Sequence, residues 1–283
     1  KVTMKTILYA SDRTEHSSPA LKYAYQLSLQ LKASLMVLYV HEMEQIRVSV
    51  SRPAAQIEYH VIKEQTEILT KYCEKHLGDA VDGKKLQVDV VHNDSVSDAI
   101  LEKSKNFGTD MIIIGRKDKH TDRGLFVGNI GKGLQEKVPC PLLIIPNNVA
   151  AKSIKTILYA TDFEEADILA LKKLVPMSKA LGAKIQIVHI STEKEYAGKE
   201  QMEWFKDMLR QEVDTAAIDF TLIFSDKIQD KLKTHATTIG ADLLVLLERE
   251  EKGFFQKIFH ISLVAKMEEH IGIPLLSYNE LNL

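Results

Sequence analysis

Short apolar runs alternate with amphipathic stretches along the whole chain, in a fixed order. Thr6 to Ala10, Ser34 to Val40, Leu86 to Val91, Met111 to Ile114 and Pro141 to Ile145 are brief and rich in Val, Ile and Leu. Continuous runs of this length predict parallel strands covered on both faces. Between them, apolar positions fall at helical spacing. Ala20, Ala24, Leu27 and Leu31 mark a first helix, and Ile57, Val61, Ile68 and Tyr72 mark a second. Ser17-Ser18-Pro19 supplies an N-cap and a proline suited to a first helical turn. Ser95 and Gly108 bracket a third helix as N-cap and C-cap.

The order then begins again. Met4 to Asp12 reads MKTILYASD and Ile154 to Asp162 reads IKTILYATD, identical at seven of nine positions at an offset of 150. This is an internal duplication. Strands are expected again at Thr156 to Ala160, Lys184 to Ile190, Ala217 to Ile223, the run LLVLLE and Pro274 to Tyr278. Leu171, Leu174, Met177 and Leu181 are spaced for one helix face, and Met202, Phe205, Met208 and Leu209 for another. Trp204, at helical spacing with Met208, reads as a packing residue. Ser225 and Gly240 take the cap positions of Ser95 and Gly108. The polar segment Pro146 to Ser153 is the linker, so the expected domains are 4–148 and 153–283. Strand alternating with helix predicts parallel sheets with helices on both faces. Ligands on such sheets bind at the carboxyl ends of strands, where the strand order reverses. Asp12 and Gly115 stand at such ends.

Composition narrows the function classes. The 283 residues are 45% hydrophobic and 27% charged, with a net charge of -2. That balance disfavours a nucleic-acid partner. No apolar run is long enough to span a membrane, no signal peptide opens the chain, and Met4 reads as its natural start. Cys73 and Cys140 form no CxxC pair and have no histidine at metal spacing, so they read as reduced thiols in a cytoplasmic protein.

Met111 to Ile130, MIIIGRKDKHTDRGLFVGNI, carries the candidate chemistry. A strand ends at Gly115, a basic loop follows, and Gly128-Asn129 opens a new amphipathic segment. Glycines let a backbone approach an anion, and the free N–H groups of a helix start face it. The same pattern also describes a plain surface connection. The loop holds Arg116, Lys117, Lys119 and Arg123 against Asp118 and Asp122, a balance of 4 − 2 = +2.

The repeated opening, the strand and helix order and the ending KVPCPLLIIP, Lys137 to Pro146, resemble the universal stress protein family in its tandem two-domain form. The resemblance covers nearly the whole chain. It implies an α/β fold of two repeated doubly wound five-stranded parallel-sheet domains, packed as a pseudo-dimer through the last strand. Many members bind ATP through a Gly-x2-Gly-x9-Gly-[Ser/Thr] motif. Here Gly115, Asp118 and Gly128-Asn129 keep the spacing, with two of the four signature positions changed. By this resemblance Ala10 and Asp12 meet the nucleoside and the backbone near Val40 meets adenine. Gly115, Arg116, Lys117, Gly128, Asn129 and Ile130 hold the phosphates. The implied ligand is ATP or another adenine nucleotide, with Mg²⁺ as its companion.

Asn129 is a mild change, since Asn also caps helices. Asp118 is a larger one. A carboxylate about 5 Å from a phosphate charge costs roughly 3 kcal/mol at an effective dielectric near 20. In the second repeat the matching stretch, LEREEKGFFQKIFHI, lacks both flanking glycines and sets Glu248, Glu250 and Glu251 where phosphates would lie. No ATP site is expected there, and Asp162 is expected to cap the following helix. The resemblance implies a cytoplasmic stress-response protein whose nucleotide is a regulatory ligand rather than a substrate. Two other readings stand beside it. One is a non-nucleotide scaffold, with a homodimer as a further assembly. The other is a slow ATPase, for which only Asp118 or Asp122 could be the base.

Overall fold

The computed structural model describes residues 4–42, 54–78, 86–116, 134, 137–192, 198–249 and 272–283. The first repeat contributes β1 (Thr6–Ala10), β2 (Ser34–His41), β3 (Leu86–His92), β4 (Met111–Gly115) and β5 (Leu142–Ile145). The second contributes β6 (Thr156–Ala160), β7 (Lys184–Ser191), β8 (Ile218–Phe224), β9 (Leu243–Glu248) and β10 (Leu275–Asn279). Helices α1 (Ser18–Leu31), α2 (Ala54–Leu77) and α3 (Val96–Phe107) alternate with the first set. Helices α4 (Glu165–Leu181), α5 (Gly198–Glu212) and α6 (Ile228–Thr238) alternate with the second.

All ten strands join one sheet in the order β3-β2-β1-β4-β5-β10-β9-β6-β7-β8. Every neighbouring pair is parallel except β5 with β10, which run antiparallel with Leu143 opposite Leu276. The fold is therefore α/β, with the two parallel halves fused through their last strands.

Side chains alternate across the sheet. On β1, Ile7 and Tyr9 join one buried cluster, while Leu8 and Ala10 join the other. The first cluster packs under α1, α2, α4 and α5; the second packs under α3 and α6. Each contains residues of both repeats, so neither core stops at the seam. Above the seam α1 packs against α4.

The expected helix faces hold for α1, α4 and α5, where Phe205 and Leu209 are fully buried. Four local readings change. In α2 the buried stripe is Leu69, Tyr72 and Cys73, and Ile68 points outward at 43% exposed. The twist of the sheet sets which flank of an amphipathic helix faces it, and neighbouring apolar residues leave that choice open in the sequence. Trp204 is 49% exposed rather than packed. Ser17 stands at the N-cap of α1, but its hydroxyl donates to the Thr14 carbonyl and meets the Tyr72 phenol instead of a helix N–H. Ser225 precedes α6 by too much to cap it; it accepts from the Lys227 N–H. Ser95 and Gly108 do cap α3, with Gly108 in the left-handed region at φ 62°. Cys73 and Cys140 are both free and buried.

One aspartate in each repeat ties the strand starts together. Asp110, just before β4, accepts the N–H groups of Lys5 and Thr6. Asp242, just before β9, accepts those of Lys155 and Thr156 at 2.8 and 3.0 Å and pairs with Lys152 at 2.7 Å. Burial pushes the Asp242 carboxyl up, but Lys152 and the two N–H groups outweigh it and hold it below the ordinary range. A depressed carboxyl stabilises the fold above its unfolded value, and that contribution is lost as pH falls through the folded value. Asp242→Ala is expected to cost about 2 kcal/mol at neutral pH. Urea unfolding at pH 7 and pH 3 checks this: the gap between variant and parent shrinks at the acid end.

Candidate functional site

The strand order turns between β1 and β4, with β2 and β3 on one side and β5 on the other. The described candidate residues gather at that edge. Ala10 lies beside Ile114, and Gly115 follows one residue on. A Cβ on Gly115 would stand 3.2 Å from the Ala20 Cβ, so glycine lets α1 close onto the sheet. The Arg116 N–H donates to the Ile145 carbonyl at 2.7 Å, holding the start of the basic loop against β5. Val40 is on β2, its side chain buried in the cluster under α3, which leaves its backbone as the part able to meet a ligand. Lys117, Asp118, Asp122, Gly128, Asn129 and Ile130 lie outside the described residues.

Asp12 sits just past β1. Its Oδ1 accepts the Thr14 N–H and hydroxyl, each at 2.9 Å. The Thr14 carbonyl in turn accepts from the Tyr72 phenol at 3.0 Å. The β1–α1 connection is thereby pinned to α2.

Arg13 was not legible as a site residue. It adopts φ 59°, an unusual conformation for a residue with a side chain. The turn swings its guanidinium over the Tyr39 ring, 3.5 Å from the centroid, a cation–π stack. Its Nη1 is buried and has no hydrogen-bond partner among the described residues. His41 lies close by, and burial first, then His92 and Arg13, lower its pKa, so it is neutral at neutral pH. This mouth therefore offers a carboxylate, a stacked cation with a spare donor and a neutral imidazole. That set suits a ligand with hydroxyl and anionic groups.

The second repeat closes the same place with ions. Phe163, the counterpart of Arg13, shares its φ of 59°. Its ring packs on His189 and Phe205, at 4.6 and 5.3 Å between centroids. Arg249, the counterpart of Lys117, reaches three carboxylates: Asp162 at 3.3 Å, Glu164 at 2.9 Å and Asp167 at 2.7 Å. Asp167 is 1% exposed and also accepts from the Tyr159 phenol and the Thr161 hydroxyl. In the first repeat the positions of Glu164 and Asp167 carry the neutral Thr14 and Ser17. Burial disfavours the Arg249 charge, but the three carboxylates outweigh it and raise its pKa. The expectation that Asp162 caps α4 is corrected: Glu164 is the N-cap, in a capping box with Asp167, and Asp162 serves the ion cluster. The sequence signal for this was the paired appearance of Glu164, Asp167 and Arg249 where the first repeat has none of them.

The universal stress protein family profile matches residues 3–146. Among curated proteins, the chain is 24% identical over 163 residues to the stress response protein NhaX of Bacillus subtilis, covering 49% of this chain and 96% of that one. A universal stress protein from Archaeoglobus fulgidus has a similar fold, with a TM-score of 0.69, 15% identity, and 97% and 98% of the two chains covered. A functionally unknown protein from Pseudomonas aeruginosa superposes at a TM-score of 0.63, with 13% identity over 98% and 92% of the chains.

Removing Arg249 leaves a buried carboxylate without its cation. Arg249→Met is expected to lower stability by about 3 kcal/mol. Adding Asp167→Asn removes the stranded charge, so the double variant loses less than the two single losses added together. Denaturant unfolding of the four proteins measures this coupling.

Proposed function

The chain belongs to the universal stress protein family, and from that premise we propose that it is a cytoplasmic stress-response protein whose first repeat binds an adenine nucleotide. In this reading residues 4–148 and 153–283 act as two domains, one sensing and one structural. The observation that carries it is the contrast between the two mouths. The first keeps Gly115 at the switch point, Asp12 engaged only by Thr14 among the described residues, and an Arg13 donor to spare. The second has its counterpart aspartate paired to Arg249.

Asp12, with Ala10 beside it, would take the ribose hydroxyls, and the Val40 backbone the base. Gly115, Arg116, Lys117, Gly128, Asn129 and Ile130 would hold the phosphates, with Mg²⁺ offsetting Asp118. In this reading the ligand acts as a regulator with little or no turnover. A cytoplasmic setting agrees with two free, buried thiols and with the finding that no described helix is long and apolar enough to cross a membrane. One observation favours the scaffold reading instead: the Arg13 stack on Tyr39 covers a flat surface that a base could use. Nucleotide binding therefore requires Arg13 to shift or to form one wall of the site.

Mass spectrometry of the supernatant from denatured, freshly purified protein is expected to show an adenine nucleotide. Thermal melting at ~1 mM Mg-ATP gives a rise of roughly 5 °C for a site near 10 μM. Gly128→Val abolishes that rise and Asp118→Gly enlarges it. No retained nucleotide together with no thermal shift would sink the reading in favour of the scaffold. Phosphate release above background that disappears in Asp118→Asn or Asp122→Asn would instead establish an ATPase.

A further inference from the structure

A pocket of about 620 Å³ lies where the two repeats meet. The turns before β4 and β5 form one wall, through Thr109, Asp110 and Cys140; α4 forms the other, and Tyr278 of β10 closes it. It is at the opposite edge of the sheet from Gly115, so it is separate from the first mouth and does not rest on the nucleotide reading. Its volume falls within the range of small-molecule sites.

The duplication explains why the pocket is open. At the offset of 150, Lys173 and Val175 of α4 correspond to Tyr23 and Tyr25 of α1. Tyr23 is 3% exposed, and burial and then the Asp242 charge push its phenol pKa up, which places it near that aspartate. The first repeat thus brings an aromatic ring towards Asp242. Near Asp110, the counterpart of Asp242, the second repeat offers Lys173 and Val175 instead, and the space remains.

The lining determines the ligand class. Met4, Leu31, Val175, Met177 and Tyr278 make most of the wall apolar. The Thr109 hydroxyl is buried and has no hydrogen-bond partner among the described residues, so it can serve a ligand oxygen. Asp110 already accepts from Lys5, Thr6 and the Thr6 hydroxyl. Lys173 and Lys179 border the pocket as exposed residues, bonded to the Asn282 carbonyl and to Asp214. Exposed pairs of this kind hold weakly and can turn to another anion. We propose that this seam pocket binds a small amphiphilic carboxylate, its tail against the apolar wall and its head between Lys173 and Lys179.

Hexanoate, octanoate and decanoate titrated into the full chain by calorimetry test the idea. Affinity is expected to rise roughly fourfold per added methylene as the tail is buried. Decanol is expected to bind about tenfold more weakly than decanoate, since it lacks the charge the lysines meet. Val175→Tyr restores the side chain that the first repeat carries there and is expected to weaken decanoate at least tenfold, with the ligand-free melting temperature within about 3 °C of the parent. Lys173→Tyr, on the exposed rim, provides the same test if Val175→Tyr does not fold. Unchanged decanoate affinity in a folded filling variant, or no dependence on chain length, overturns the site. Equal binding of decanol and decanoate overturns its anionic character.

Discussion

The antiparallel pairing of β5 with β10 is the constraint on which the rest of the molecule depends. Both strands are short and almost wholly buried, Leu142–Ile145 and Leu275–Asn279, and each would be an open edge if the repeats were separate. An exposed apolar edge invites pairing with another chain. Here the partner is in the same chain, at high effective concentration, with Leu275 set opposite Ile144. One sheet results, and the clusters on its two faces each run through both repeats. The seam also fixes which helices meet, since α1 and α4 are drawn together above it.

Within that frame the duplication acts as an internal control. The backbone after β1 and after β6 makes the same turn, with Arg13 and Phe163 both at φ 59°. The side chains on it have diverged in opposite directions. In the first repeat a cation lies on Tyr39 with a donor to spare; in the second an aromatic ring enters the core and Arg249 binds three carboxylates. In the second arrangement three carboxylates already share the Arg249 guanidinium, so a ligand would have to displace a partly buried ion network. The first leaves charge and hydrogen-bonding capacity at its mouth. The seam pocket is a third product of the same divergence, since α4 lacks the tyrosines that α1 carries.

Much of the fold was legible in the sequence because parallel strands are buried on both faces and read as unbroken apolar runs. MIIIG and LLVLLE could hardly be anything else once they recurred after the same helix pattern. The α/β architecture and the duplication follow from that recurrence, whereas the pairing of two five-stranded sheets through their last strands was implied by the family resemblance. Legibility failed where one residue decides between neighbours. Leu69 rather than Ile68 faces the sheet, and Trp204 lies on the outer flank of α5. Helical periodicity locates an apolar stripe only to within a residue or so, and packing against a particular sheet sets the rest.

For the candidate sites the division is similar. The sequence by itself established the repeat, the glycine spacing after β4 and the loss of those glycines in the second copy, because these are properties of local order and spacing. Only the tertiary structure brought Arg249 to Asp162 and Asp167, residues 87 and 82 positions away. Only the fold laid Arg13 on Tyr39 and opened a pocket between the repeats. Those contacts join strand ends and helix faces distant along the chain, and their partners are chosen by strand order and by the seam, which local spacing does not encode.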